Sequence, residues 1–302
     1  MSTVNIVSLG GVQETGKNLY VVEVDNDIFI LDAGMKYPPS DVFGVDIVLP
    51  DISYLITNAK RIKGIFLTHA HDDHIAAIPH ILKYMKIPVY ASLFTLSVVK
   101  ELMQEHNLNP NNYELIAVSE KVVLRFGYVS VRFINVSHSV PQSMAIVINT
   151  PDGNVLYTGN YNFDQNAPIN YALMFRALAV FQKEGVLALL TESLGANNEH
   201  TRGTILEFKT RLTNVISQAT NRIIFSLFSS DINRIQQIVE TAVRYKRKIV
   251  VFGRSMEQAI NIGRECGYIH APDNYFISAE AMKTVPHVNQ VVLCTGSQGE
   301  PM

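Results

Sequence analysis

The chain has 302 residues, 47% of them apolar and 17% charged, with a net charge of −2. It can bury a large core and is not disordered, while its balanced charge leaves any contact with nucleic acid to local clusters. Two cysteines without metal-type spacing, and the lack of a signal-like start or a long uninterrupted apolar run, predict a cytoplasmic protein that does not cross a membrane.

In chain order, short strands are predicted at 4–8, 20–24 and 28–31, broken by Gly10-Gly11 and by Asp25-Asn26-Asp27. A strand at 64–67 ends at Thr68, and helices follow at 75–85 and 95–105 from their 3–4 apolar spacing. Strands return at 120–124, 129–136, 144–149 and 155–157, the last two joined by a Pro151-Asp152-Gly153 turn. Beyond Thr191 the rhythm becomes helix 204–218, strand 222–227, helix 230–245, strand 248–252, helix 255–265 and strand 290–294. That alternation marks a parallel sheet covered on both faces. Two domains are therefore expected, 1–195 and 196–302. The final strand runs into a Gly/Ser loop where the sequence stops, which suggests a fragment or a short variant.

The chemistry concentrates at "THAHDDH", residues 68–74. His-x-His on an extended segment points both imidazoles to one side, since side chains repeat every two residues. Asp73 and His74, at the start of the next helix, can turn toward the same space. Three imidazoles and one carboxylate suit zinc or manganese. His138, after the strand at 129–136, is a further ligand candidate. Asp32, at the end of "IFILDAG", is expected to order the ligand loop from behind. In the second half, "FSLFSSD", "GRSM" and "TGSQGEP" are strand-end loops ahead of helices, and their backbone N–H groups suit phosphate. Ser229, Ser230, Arg254, Ser255, Thr295, Gly296, Ser297 and Gln298 are the phosphate-binding candidates. The basic run 244–248 is expected to be a solvated helix end.

"LDAG", "HAHDDH", "SHS" and "TGN" in that order resemble the metallo-β-lactamase fold. "GGVQETGKN", "DAGMKYP", "HDDHIAAIPHIL", "NVLYTGNYNFD", "VFGRSM" and "CTGSQGEPM" extend the resemblance, over almost the whole chain, to the ribonuclease J family of β-CASP ribonucleases. The resemblance implies an α/β chain: an αββα sandwich followed by an incomplete β-CASP domain with a parallel sheet. It implies a metal-dependent enzyme, with up to two zinc ions and manganese or magnesium as alternatives. Its expected substrate is single-stranded RNA, cut internally and from a 5′-monophosphate end. His69, His71 and His138 would hold one cation; Asp73, His74 and residue 160 would hold the other, with 160 bridging both.

Asp73 would also orient the attacking water, and Asp73 and His138 are the catalytic candidates. Glu192 occupies the place of the first acidic β-CASP motif and is expected behind the ligands with Asp32. The family has Asp at the bridging place, whereas this chain has Asn160. An amide offers one neutral carbonyl oxygen where a carboxylate offers two anionic ones. Weakened metal binding, low activity and a working partnership with an active ribonuclease J paralogue, in a homo- or hetero-oligomer, are the expectations that follow.

Overall fold

The computed structural model describes residues 2–39, 42–162, 177–179, 181–197 and 204–295. Its contacts divide into two compact units: Met1–His138, Gln142–Phe163 and Pro168–Ala196 in the first, and Ser139–Pro141, Asp164–Ala167 and Asn197–Met302 in the second.

The first unit is built on two sheets. One runs β1 (Val4–Gly10), β2 (Leu19–Val24), β3 (Asp27–Leu31), β4 (Ile62–Phe66), β5 (Val89–Ala91) and β6 (Leu115–Ala117), in that spatial order. The first three strands pair antiparallel, and from β3 onward the pairing is parallel. The other sheet is ordered β11 (Val186–Leu190), β10 (Gly153–Tyr157), β9 (Met144–Thr150), β8 (Val129–Asn135) and β7 (Val123–Phe126).

Alternate residues of the two sheets meet in one core. Val22, Phe29, Leu31, Phe66 and Tyr90 face Val131, Phe133, Ile146, Ile148, Val155 and Tyr157. Phe66 stacks on Tyr90 with ring centroids 4.9 Å apart, and Phe126 meets Phe29 edge-on at 5.5 Å. Behind the second sheet, Ile134, Ala145, Val147 and Leu156 pack on Phe181 of α5 (Phe181–Glu184). Helices α3 (Ile78–Leu82) and α4 (Leu93–Glu105) contribute Ile78, Ile81, Leu96, Val99 and Met103 as buried residues. The result is the helix–sheet–sheet–helix sandwich expected from the resemblance.

One expected helix is interrupted. The run 75–85 forms α2 (Asp72–Ile75) and then α3, because Pro79 has no N–H to continue the ladder and sits instead in the first turn of the second piece.

In the second unit, β12 (Ile223–Ser226), β14 (Gln290–Cys294) and β13 (Lys248–Phe252) form a parallel sheet with β14 in the centre. Helices α6 (Ile205–Gln218), α7 (Ile232–Arg244) and α8 (Arg254–Glu265) alternate with them. A capping box between Thr204 and Glu207 starts α6. The other end of α6 is closed by a side chain from far along the sequence. Arg247 is buried and donates to the carbonyls of Ile216, Ala219 and Asn221 at 3.0, 2.5 and 3.0 Å. Within the basic run, then, residue 247 is no solvated cation but a cap on another helix. No helix among the described residues is long and apolar enough to cross a membrane.

Candidate metal centre

β4 carries the chain to Thr68 at one end of the sandwich, where the two sheets are joined by a hydrogen bond from Met144 N–H to the Thr68 carbonyl, 2.9 Å. His69 follows, then His71 as an extended residue preceding α2 (ψ 147°). His138 arrives after β8. The ring nitrogens of His69, His71 and His138 lie within 4.8 Å of one another. His71 Nδ1 is 3.0 Å from His69 Nε2 and 3.3 Å from His138 Nε2. Ligands about 2.0–2.1 Å from a tetrahedral zinc ion lie about 3.3–3.4 Å from each other, so this spacing fits a shared dication.

Lone pairs must face the shared point, and the surroundings arrange this for His69. Asp32 is fully buried with left-handed backbone (φ +58), a conformation that Asp tolerates better than most residues. Its carboxylate accepts from Thr68 N–H at 2.8 Å, Thr68 Oγ1 at 2.9 Å, Tyr157 Oη at 2.8 Å and His74 Nδ1 at 2.6 Å. Thr68 spends its only hydroxyl hydrogen on that carboxylate, so its oxygen must accept the bond from His69 Nδ1–H, 2.9 Å. His69 Nε2 is left bare.

Burial drives the three imidazoles away from the charged form. His69 is held well below the ordinary histidine range, His71 falls to about 4 and His138 to about 3. Neutral rings at neutral pH are the form that binds metal. Burial and Asp32 push the Tyr157 hydroxyl well above its ordinary value, which keeps it a donor.

A second cluster adjoins the first, with the His69 and His74 rings 4.2 Å apart. His74 Nε2 lies 3.4 Å from Asp73 Oδ2. Burial opposes a proton on His74, yet Asp32 and Asp73 outweigh it and raise the imidazole to about 10. Burial likewise works against an ionised Asp73, but His74 holds it below the usual carboxylate range. A cation bound here would displace the His74 proton.

Residue 160 lies in a segment tied to both ligand strands. Gly159 has φ +56, and a Cβ there would stand 2.8 Å from Thr68 Cβ, so only glycine lets this backbone pass. Asn162 N–H donates to the Ser137 carbonyl at 2.7 Å, and Ser137 Oγ donates to Asn162 Oδ1 at 2.9 Å. Tyr161 N–H donates to Glu192 Oε1 at 2.9 Å. The Asn160 backbone is thus fastened beside the residues preceding His69 and His138. Glu192 secures that loop from behind.

The phosphate candidates fall in the second unit. The parallel sheet puts the ends of β12, β14 and β13 at one edge, so Ser229 and Ser230, Thr295, and Arg254 and Ser255 follow neighbouring strands. Gly253 (φ +100) passes so close to Thr295 that a Cβ would meet its Oγ1 at 2.5 Å. Asp231 caps α7 by accepting from Arg234 N–H at 3.1 Å, whereas Gly253 offers α8 no side-chain cap. Gly296, Ser297 and Gln298 lie outside the described residues.

Sequence reasoning missed Asn18, Thr68 and Tyr157. Thr68 and Tyr157 carried a usable signal, since both end a strand immediately before a ligand-bearing loop. Asn18 carried none. Its side-chain nitrogen donates to the Asp73 carbonyl at 3.0 Å and lies 3.2 Å from both Asp73 Oδ2 and His74 Nε2.

Fold and imidazole cluster together define the class: this is a metallo-β-lactamase-fold protein, of a kind that binds divalent metal. The beta-lactamase superfamily domain profile matches residues 38–174, and that of the ribonuclease J beta-CASP domain matches residues 220–302. Over almost its whole length the chain is similar to proteins of the ribonuclease J family. Ribonuclease J2 of Bacillus subtilis (strain 168) is 38% identical over 299 residues, covering 99% of this chain and 54% of that protein. Ribonuclease J 1 of Streptococcus pyogenes serotype M3 is 39% identical over 301 residues, covering 99% and 53%. The chain therefore spans about half the length of the curated relatives it matches. A crystal structure of a protein of unknown function from Enterococcus faecalis V583 shares the fold, with a TM-score of 0.70 at 17% identity, over 99% of this chain and 78% of that one.

Proposed function

We propose that the chain works on single-stranded RNA as a ribonuclease J-type, metal-dependent hydrolase of cytoplasmic RNA processing and decay, with turnover lowered by Asn160. The observation that carries this is the convergence of the His69, His71 and His138 nitrogens at ligand spacing. Those three residues would hold one cation, and Asp73 and His74 with residue 160 a second. Zinc suits the imidazoles, and manganese or magnesium the oxygen donors. A bound dication supplies the charge that acidifies water and polarises a phosphoryl oxygen.

The chain's own residues do the rest. Asp73 would orient the attacking water. Asp32, through Thr68, keeps the His69 lone pair inward, and Tyr157 fixes Asp32 in turn. Ser229, Ser230, Arg254, Ser255 and Thr295, with Gly296, Ser297 and Gln298 in the segment beyond, would take backbone phosphates and a 5′-monophosphate.

Asn160 supports reduced activity. With an amide at the bridging place, Asp73 is the only carboxylate in the ligand set, and repulsion between two dications is less well offset. Fewer than two metal equivalents are expected, and Asn160→Asp should raise the content. Two tightly held ions in the unmutated chain would remove this reason for low turnover. The same residue favours a second reading, in which the protein is a non-catalytic RNA-binding subunit beside an active ribonuclease J paralogue in a homo- or hetero-oligomer. A small-molecule hydrolase has less support, because the strand-end loops of the second unit suit phosphate.

A nuclease assay on 5′-monophosphorylated single-stranded RNA decides among them. Slow, chelator-sensitive cleavage lost in His71→Ala is the expected result. Salt-dependent binding without cleavage would favour the subunit reading. Neither binding nor cleavage would overturn both.

A further inference from the structure

The loop ahead of β2 turns through left-handed backbone at Gly16 and Lys17 (φ +97 and +55) and delivers Asn18 to the 72–74 turn. Main-chain bonds pin the meeting point from several sides. Asn18 N–H donates to the Asp73 carbonyl at 3.0 Å, Gly34 N–H to the Asn18 carbonyl at 2.9 Å, and Met35 N–H to the Asp72 carbonyl at 3.1 Å. Ala33 N–H donates to the His74 carbonyl at 2.7 Å. Any residue but proline at 18 would keep these bonds, so the fold's demand on this position is met by its backbone.

The side chain does something else. Its nitrogen sits 3.0 Å from the Asp73 carbonyl oxygen and 3.2 Å from Asp73 Oδ2, two groups that only accept, so the NH2 end of the amide belongs there. One hydrogen serves the carbonyl. The other points between the Asp73 carboxylate and His74 Nε2, also 3.2 Å away. An amide donor in this place holds the carboxylate in one rotamer and sits against the Nε2 edge of the imidazole.

We propose that Asn18 is a positioning residue for the Asp73–His74 half of the metal centre, orienting both side chains as donors for a second dication. Partners of this kind behind metal ligands commonly change affinity by about 10–100-fold. The inference rests on the metal-centre reading above, so its test starts from Asn160→Asp, the variant expected to hold two cations.

Cobalt(II) is titrated into the 302-residue chain, with stoichiometry read by equilibrium dialysis and geometry by the visible d–d bands. Asn160→Asp should bind two equivalents. Adding Asn18→Leu, which keeps the shape and removes the amide, should leave the His69–His71–His138 equivalent and its spectrum intact. The dissociation constant of the second equivalent should rise about 10–100-fold. Asn18→Ala repeats the test without added apolar bulk, should the leucine variant not fold. Retention of both equivalents at unchanged affinity would overturn the role of Asn18 and leave the metal centre standing. Loss of both together would overturn it too, by showing a general support of the fold. Asn160→Asp without a second equivalent would bring down the two-cation reading and the inference with it.

Discussion

Thr68→Val tests the relay behind His69. Valine keeps the shape of threonine and replaces Oγ1 with a methyl group, while the bond from the residue 68 N–H to Asp32 survives. Two things are lost. The hydroxyl bond to the Asp32 carboxylate, a charged acceptor, is worth about 1.5–3 kcal/mol. The His69 Nδ1–H, in a residue with no exposed surface, loses its acceptor at about 1–3 kcal/mol. The metal-free variant should therefore be destabilised by about 3–5 kcal/mol, allowing for partial relaxation. It should also bind zinc about 10–100-fold more weakly, because the His69 ring is free to present either nitrogen. Urea unfolding of the metal-free protein followed by circular dichroism measures the first effect, and competition with a chromophoric chelator the second. An unfolding midpoint and a zinc affinity both equal to those of the parent protein would refute the relay.

Arg247→Met keeps the aliphatic length and leaves the Ile216, Ala219 and Asn221 carbonyls without their donor, so the second unit should lose about 3 kcal/mol in urea unfolding. Glu23 is held below the usual carboxylate range chiefly by the Tyr54 hydroxyl, 2.5 Å away, with Asn5 and Arg61 assisting. A carboxylate lowered in the folded state adds stability above its unfolded value and loses it as pH falls through the folded one. Glu23→Gln should therefore unfold more readily near neutral pH, with the difference closing toward strongly acid pH in a urea series.

The sandwich was legible because its long strands alternate or run apolar and their turns carry Gly, Asp and Asn. The short strands at 89–91 and 115–117 were not, since three residues leave no periodicity to detect. The strand at 186–190 reads as an apolar run, which periodicity cannot tell from buried helix. The candidate cluster was visible because His69, His71, Asp73 and His74 are neighbours in sequence. Asn18 was invisible, as its meeting with that cluster depends on a pairing 55 residues away. Arg247 misled for a related reason: a cation in a charged run looks solvated until the helix it caps is known.

The fastening of the 158–162 segment has a genetic consequence. Gly159 against Thr68, Asn162 on Ser137 and Tyr161 on Glu192 fix the backbone without using the side chain at 160. Asparagine and aspartate codons differ by a single base. A lineage can therefore exchange the amide for the acid, or the acid for the amide, in one mutational step and leave the surrounding loop as it was. Loss and recovery of a carboxylate at 160 become equally short walks, so a gene carrying Asn160 keeps the other state within one substitution's reach for as long as those fastenings are retained.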